Sequence, residues 1–368
     1  MNLEFSDDQK FVQQTARDYL AENCELGVCR GVLESGQPFA ADLWKGVAEM
    51  GWLGAAVPEE FGGAGLGRLE LVLIAQELGR VLAPIPFASS AVLATEALLL
   101  AGSEEQKQRH LPRLASGEAI GAFALAEGLG DFDPASAGVK FDGKKLKGEK
   151  LPVQDGAAAT LAVVVAREGK GQSLALVDLQ AQGVTRSALQ SFDPSRPLAR
   201  ISFDGAAAER LGKAGQGAAL AQRVLDRAAV VMAYEQIGGA ERALDITREH
   251  TMGRFAFGRP VASFQALKHR MADVYGKIQI AISNGYYAAW ALENDEKELG
   301  VAACAARVAA SEAFVLASEE MIQMHGGVGF TWEYDCHLFY RRARSLAQAI
   351  GGADEWREKL VSRVEATL

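Results

Sequence analysis

Proline is nearly missing from the C-terminal part of this chain. Of ten prolines, only Pro260 lies beyond Pro197. Proline ends or kinks helices, so its scarcity in a stretch rich in Ala, Leu, Glu and Arg predicts long uninterrupted helices. Cysteine is scarce as well. Cys24, Cys29, Cys304 and Cys336 are the only four in 368 residues. Their spacing fits no metal pattern, and a chain of this size needs no disulfide staples, so free thiols are expected. None of the five histidines stands at metal-like spacing, and no metal site is expected. No run approaches the roughly 20 apolar residues that cross a bilayer. The start, Met1-Asn-Leu-Glu-Phe-Ser-Asp-Asp8, is acidic and lacks the basic segment and apolar run of a secretory signal. A cytoplasmic location without a membrane span is expected. Positive charge is in deficit too. The formal net charge is −9, which argues against bulk nucleic-acid binding and leaves open small anions held in a local basic pocket.

What is present suits a globular protein with a sizeable core: 49% hydrophobic and 23% charged residues. The length predicts two or three domains. Three zones follow. Residues 1–117 read as an N-terminal α-helical domain. It opens with Ser6 and Gln9 as a capping box, and Phe11, Val12, Thr15, Ala16, Tyr19 and Leu20 supply an apolar face. Residues 118–212 read as a middle β domain of barrel or sandwich type. Its apolar runs are Ala122–Ala126, Leu161–Ala166, Ser173–Asp178 and Ala199–Phe203, with turns such as Asp142-Gly143 and Asp204-Gly205 between them. Residues 213–368 read as a C-terminal four-helix-bundle-like domain, with helices over Ala218–Arg254, Phe264–Leu292, Gly300–His325, Cys336–Ala347 and Ala353–Ala366. The fold class is α+β and multidomain.

The most informative segment is Arg254–Asp273. It joins a turn, Phe257-Gly258-Arg259-Pro260, to a long helix with Pro260 as its first residue. Arg254 before the turn is suited to grip a phosphate, and Gln265, one to two turns into the helix, offers an amide. A second segment, Gln323-Met-His-Gly-Gly-Val-Gly-Phe330, ends a helix in glycines. Gly326 and Gly327 leave backbone N–H groups unobstructed for an anion. Pro58-Glu-Glu-Phe-Gly-Gly-Ala-Gly65 is a third glycine-rich loop, a helix connector on its residues alone and, by the family resemblance given next, a loop near the substrate mouth. Arg341-Arg-Ala-Arg344 could meet a phosphate or an acidic partner.

These segments, in this order of domains, resemble the acyl-CoA dehydrogenase family over nearly the whole chain. The resemblance implies FAD as cofactor and removal of two hydrogens from the α and β carbons of an acyl-CoA substrate. It also implies electron-transferring flavoprotein as electron acceptor. Arg254, Phe257, Gln265, Gln323, Gly326 and Gly327 would form the half-site that one subunit offers to its neighbour's flavin. A dimer or tetramer, homo- or heteromeric, follows from that. The middle domain departs from the family pattern. Its first flavin loop, usually Thr-Glu-Pro-x-x-Gly-Ser-Asp, is Ala126-Glu-Gly-Leu-Gly-Asp-Phe-Asp133, keeping Glu127 and Gly130. Its second, usually Trp-Ile-Thr-Asn, is Leu151-Pro-Val-Gln-Asp155, where Val153 joins Glu127 and Gly130 as a candidate cofactor contact.

The family's general base also has no direct counterpart. Its commonest place, a Glu before Gly-Thr near the C-terminus, falls on Ile350 or Gly351. Its other place, on the first long helix of the C-terminal domain, falls on Ala228. Glu235 is the first candidate to replace it. It shares a helical stripe with Val224, Ala228 and Val231, and a carboxylate buried among apolar groups is how a general base is made. The alternative is a polar group bonded to another helix, and Glu235 lies about two turns, ~10 Å, from Ala228. Asp354 is the second candidate. Its alternative role is to open the last helix, where negative charge is favoured. Two readings follow: an acyl-CoA dehydrogenase whose base is Glu235 or lies elsewhere, or a non-catalytic, flavin-supporting subunit of a heteromeric member acting on a bulky CoA ester such as a sterol side chain.

Overall fold

The computed structural model describes residues 5–294 and 296–366. The helices before the β region are α1 (Asp7–Asn23), α2 (Leu26–Ser35), α3 (Ala41–Glu49), α4 (Arg68–Arg80), α5 (Thr95–Ala101) and α6 (Glu104–Ala115), with a π-helical stretch, Ala88–Ala94, running into α5. Seven strands follow: β1 (Gly121–Ala124), β2 (Lys140–Phe141), β3 (Lys145–Gln154), β4 (Leu161–Glu168), β5 (Gly171–Asp178), β6 (Val184–Leu189) and β7 (Leu198–Leu211). Then come α7 (Gly217–Gly253), a small hairpin of β8 (Phe255–Ala256) and β9 (Arg259–Pro260), α8 (Gln265–Asn294), α9 (Glu296–His325), α10 (Cys336–Gln348) and α11 (Ala353–Glu365). The order is helical, strand-rich, helical, as the sequence predicts. Packing gathers the chain into two compact units that cut across this order. One holds the described residues up to Gly31, Val72–Ala83 and the described residues from Ala229 on. The other holds Val32–Leu71 and Pro84–Ala228.

In the second unit the strands run β1-β4-β2-β3-β7-β5, and β4 also pairs with β5, so the sheet closes on itself as a barrel. β6 adds to β7 at the outside. β4 is buried along Leu161–Ala166, which explains its continuous apolar run. β3 and β6 carry too few apolar residues for the sequence to reveal them. β3 alternates charged and buried positions, and β6 is largely exposed. α2 was also not legible from its sequence.

In the first unit α9 is the central helix of the bundle and packs against α8, α10 and α11. Its surroundings explain its composition. The segment Lys297–Phe330 reaches a mean hydropathy of 1.6 and is long enough to cross a membrane, more than the sequence reading allowed, yet 56% of its most apolar window is buried among its neighbours. α4 and α7 cross at glycine. A Cβ on Gly79 would lie 1.9 Å from Glu235 O, and one on Gly238 would lie 1.9 Å from Gln76 O, so both positions require glycine for the backbones to approach. α1 has the capping box expected of Ser6 and Gln9. Its apolar face is narrower than predicted. Ala16 and Leu20 are buried, but Phe11 is 73% exposed. The reason is polar: Gln13 and Arg17 face α4, where both bond Glu77. All four cysteines are buried thiols outside any disulfide. Burial pushes the Cys24 thiol up to about 12, which makes it a poor nucleophile.

Candidate functional site

The ends of α7 and α9 are brought together by two imidazoles. The rings of His250 and His325 stack with centroids 4.0 Å apart, and His325 Nδ1 is 2.6 Å from Met321 O. Tyr334 meets both rings edge-on. Burial pushes both histidines below their ordinary value of 6.5, which favours the neutral form of the stacked rings. Arg254 leaves α7 one turn after His250, and Gly326 directly follows His325. The stack therefore sets the two predicted phosphate-facing segments at neighbouring helix ends. Beyond Arg254 the chain turns back through β8 and β9. Phe257 (φ +53) and Gly258 (φ +77) make the two-residue loop, with positive φ at both positions as a type I′ hairpin requires. Arg259 lies over the Phe264 ring at 4.0 Å, and Phe257 meets the same ring edge-on, which fastens the hairpin to the start of α8.

Two details of the sequence reading are corrected. Pro260 is not the first residue of the long helix. It closes the hairpin and caps a short 3-10 turn, Val261–Ser263. Gln265 is consequently the first residue of α8 rather than one to two turns inside it. Arg254, Gln265 and Gln323 are exposed, and their side chains have no partner among the described residues. A Cβ at Gly326 or Gly327 would meet nothing within 4 Å. A free guanidinium, two free amides and bare backbone at a helix end fit a diphosphate-bearing cofactor. Around them Phe257 is 95% and Phe330 86% exposed, and Phe255 and Met252 are exposed too, a grouping that favours a covering partner.

The barrel loops are arranged differently. Glu127 is not directed outward. Its Oε1 accepts from Gly138 N (2.8 Å), Val139 N (2.9 Å) and Lys150 Nζ (2.7 Å). Burial works against its charge, but these bonds outweigh it and hold the carboxyl below its ordinary range. Lys150 is fully buried and also donates to Leu125 O at 2.6 Å. The ion pair thus clamps the Ala126–Asp133 loop to the strand leading into Leu151–Asp155. Val153 is fully buried, so its side chain faces the barrel interior. What these loops leave open is backbone: Gly130 (φ +78) has free space where a Cβ would stand, and the register of β3 with β7 shifts between Lys150 and Val153.

The chain matches the acyl-CoA dehydrogenase N-terminal domain over residues 6–118 and the acyl-CoA dehydrogenase C-terminal domain over residues 215–365. It is 33% identical to acyl-CoA dehydrogenase IpdE2 of Mycobacterium tuberculosis over 359 residues, 97% of this chain and 98% of that protein. The chain belongs to the acyl-CoA dehydrogenase family. Among solved structures it is similar to the ChsE4-ChsE5 complex from Mycobacterium tuberculosis, with TM-score 0.91 and 27% identity over 100% of both chains. It is also similar to the Tcur3481-Tcur3483 steroid ACAD, with TM-score 0.89 and 28% identity over 98% of both chains. As an acyl-CoA dehydrogenase family member it is an oxidoreductase chain acting on acyl-CoA, in a family that depends on FAD.

The two places where the sequence reading puts the family's base, Ala228 and Ile350 or Gly351, hold no carboxylate. Ala228 is fully buried. Ile350 is 2% exposed, and its carbonyl accepts from Trp356 Nε1 at 3.2 Å. Gly351 has φ +102, and a Cβ there would lie 2.4 Å from Glu355 Oε2. Glu235 is buried on α7, but not among apolar groups alone. Its Oε1 lies 3.9 Å from Arg342 Nη1. Arg307 is in the same cluster and fully buried. Its Nη1 donates to Gln236 Oε1 at 2.7 Å and its Nη2 to Leu346 O. Burial pushes Arg307 down to about 10, with the charge of Glu235 opposing that. Glu235 thus supplies a counter-charge to two buried guanidiniums, Arg342 on α10 and Arg307, which bonds the end of that helix. Of the Arg341–Arg344 segment, Arg342 points into the core, where its Nη1 donates to Ala83 O at 3.3 Å, Arg344 pairs with Glu319, and Arg341 lies over the Trp332 ring. Asp354 is exposed in the first turn of α11 and pairs with Arg357.

Proposed function

We propose that this chain is the flavin-supporting component of a heteromeric, cytoplasmic acyl-CoA dehydrogenase acting on a steroid-derived acyl-CoA. One observation carries the reading: the places where the family resemblance puts the base lack a carboxylate, while Arg254, Gln265 and Gln323 of the half-site are exposed and have no side-chain partner among the described residues. Arg254 would pair with the flavin diphosphate. Gln265 and Gln323 would donate amide N–H groups, and Gly326 and Gly327 would offer backbone N–H groups at the end of α9. Phe257 and Phe330 would be covered by the partner. FAD, when bound, supplies the acceptor for the hydride leaving the β carbon. The base that takes the α proton would belong to a second chain of the same family, one with Glu directly before Gly-Thr. Electron-transferring flavoprotein is the proposed acceptor for the assembly. The steroid class draws support from the similarity to the Tcur3481-Tcur3483 steroid ACAD, and heteromeric assembly from the similarity to the ChsE4-ChsE5 complex.

The test is expression of this chain alone and together with such a second chain from the same genome. The visible spectrum and flavin bleaching by a steroid-side-chain CoA ester are then recorded. Together, the chains should be yellow and bleach. Alone, this chain should not bleach with any acyl-CoA. A homo-oligomer of this chain that holds FAD stoichiometrically and bleaches would overturn the proposal. Loss of that bleaching in Glu235→Gln would then make Glu235 the base, since the amide keeps the shape but takes no proton.

A further inference from the structure

The sheet register places three cations side by side on the outside of the barrel. Lys147 on β3 lies opposite Lys140 on β2, and Lys140 lies opposite Arg167 on β4. Like charges directly opposite each other destabilise a sheet. Adjacent strands are ~4.8 Å apart, so the row spans about 10 Å. Lys145 stands two residues along β3 from Lys147, across a shift in the β3–β7 register, and both line the same groove. All four side chains are exposed, and none forms an ion pair or side-chain hydrogen bond among the described residues. The next position in the row, Asp204 on β7 opposite Lys147, makes no ion pair either. The remaining acid at the site, Asp142, is committed to the hairpin turn: its Oδ1 accepts from Lys144 N at 2.9 Å and Lys145 N at 2.7 Å. These cations line one groove of about 530 Å³. Neighbouring acids elsewhere on the barrel are taken. Glu168 pairs with Arg210, and Glu149 with Arg200.

A chain with net charge −9 has carboxylates to spare, yet the two acids that adjoin these four cations, Asp142 and Asp204, form no ion pair with them. Four cations against two acids leave this row under-compensated inside the fold, which points to a ligand outside it. We propose that the groove binds a phosphate-bearing anion, a diphosphate or the phosphate portion of a nucleotide or coenzyme. The volume is that of a small-molecule site. Three cations within about 10 Å can converge on one diphosphate, and Arg167 presents a guanidinium to grip phosphate oxygens in pairs. An acidic protein segment fits less well, because its carboxylates repeat ~7 Å apart along a strand and would not converge. The proposal holds whichever chain of the assembly carries the catalytic base.

Flavin-saturated protein, in its oligomeric state, is titrated with inorganic pyrophosphate at low salt and followed by calorimetry. The double variant Lys140→Gln/Arg167→Gln should bind pyrophosphate about tenfold more weakly. Both positions are exposed, so the fold should survive, and an unchanged far-ultraviolet spectrum and thermal midpoint verify it. Coenzyme A is the second probe. An equal loss of coenzyme A affinity identifies the coenzyme as the source of the phosphate, and an unchanged coenzyme A affinity identifies a separate phosphate ligand. No pyrophosphate binding by the parent protein, or equal binding by parent and variant, overturns the proposal. So does binding of poly-L-glutamate without binding of pyrophosphate, which would make the groove a protein-docking surface. If the double variant misfolds, the single Lys147→Gln protein is titrated, with the same two outcomes.

Discussion

The flavin-related segments of the helical end and of the barrel both resemble their family counterparts, but the retained residues do opposite things. At the ends of α7 and α9, Arg254, Gln265 and Gln323 are exposed and uncommitted. In the barrel, Glu127 is spent inside the molecule on Lys150 and two backbone N–H groups. A retained motif residue is not by that fact a ligand contact. Its hydrogen-bond partners separate the two cases. A residue with no partner in the fold is waiting for one, and a residue with three is holding the fold together.

The largest effect that would break this comparison is at the clamp. Glu127→Ala leaves the fully buried Lys150 ammonium without its counter-charge, and the thermal unfolding of the flavin-free protein should register a loss of roughly 3 kcal/mol. A midpoint within a degree of the parent would mean that Glu127 is not structural and would return it to the flavin. Next in size is Arg254→Ala. It should weaken FAD retention in the assembled oligomer by about tenfold, measured by flavin content after dialysis, with no change in the stability of the flavin-free protein. If stability falls instead, the distinction between the two regions fails.

A smaller contrast sharpens the helical side. Gly326 has φ +65 while Gly327 does not need positive φ, and both have open space for a Cβ. Gly326→Ala should therefore destabilise by about 1 kcal/mol through backbone strain, whereas Gly327→Ala should be nearly neutral in denaturant unfolding. Both should still lower flavin content, because a methyl group would crowd the same bare backbone. Equal stability of the two variants would remove the argument from Gly326.

The smallest effect is a pH dependence of the His250–His325 stack. Burial, the mutual repulsion of two imidazolium charges and the nearby Arg254 favour the neutral form of His250 in the fold. The unfolded chain takes up the proton first as pH falls through the ordinary value of 6.5. The stabilisation is thus complete above that pH and is lost as pH falls through the depressed folded values. Thermal midpoints between about pH 7.5 and 5 should fall, and His325→Phe should flatten that fall while keeping the ring stack. An identical slope in the variant would place the acid sensitivity elsewhere.

How far the sequence carried this reading depended on what kind of signal each element left. The bundle helices were legible because α7–α11 have long apolar periodicity and almost no proline. β4 and β5 were legible as apolar runs. β3 was not, because Lys145, Lys147 and Glu149 occupy its outward positions and Lys150 is buried by an ion pair rather than by apolarity. The half-site motif could be read from residue types alone, since its function requires exposed donors and bare glycine. The environment of Glu235 could not be. Its stripe of Val224, Ala228 and Val231 gives no hint of Arg307 and Arg342, which come from α9 and α10 and meet it only in the folded bundle. Helical periodicity reports on one helix and is silent about what its neighbours insert.

The turn after α10 has a consequence for the history of such a chain. At Gly351 the backbone has φ +102, and any side chain would begin 2.4 Å from Glu355 Oε2. A carboxylate returning to this place by a single substitution would meet strain before it could reach a proton. The Glu355 carboxylate, the end of a flexible side chain, could swing aside, but the strain of the positive φ would remain. Ile350, the neighbouring place for a base, carries no positive φ. On the reading proposed above, a route back to self-sufficiency at this turn would therefore run through Ile350 rather than Gly351.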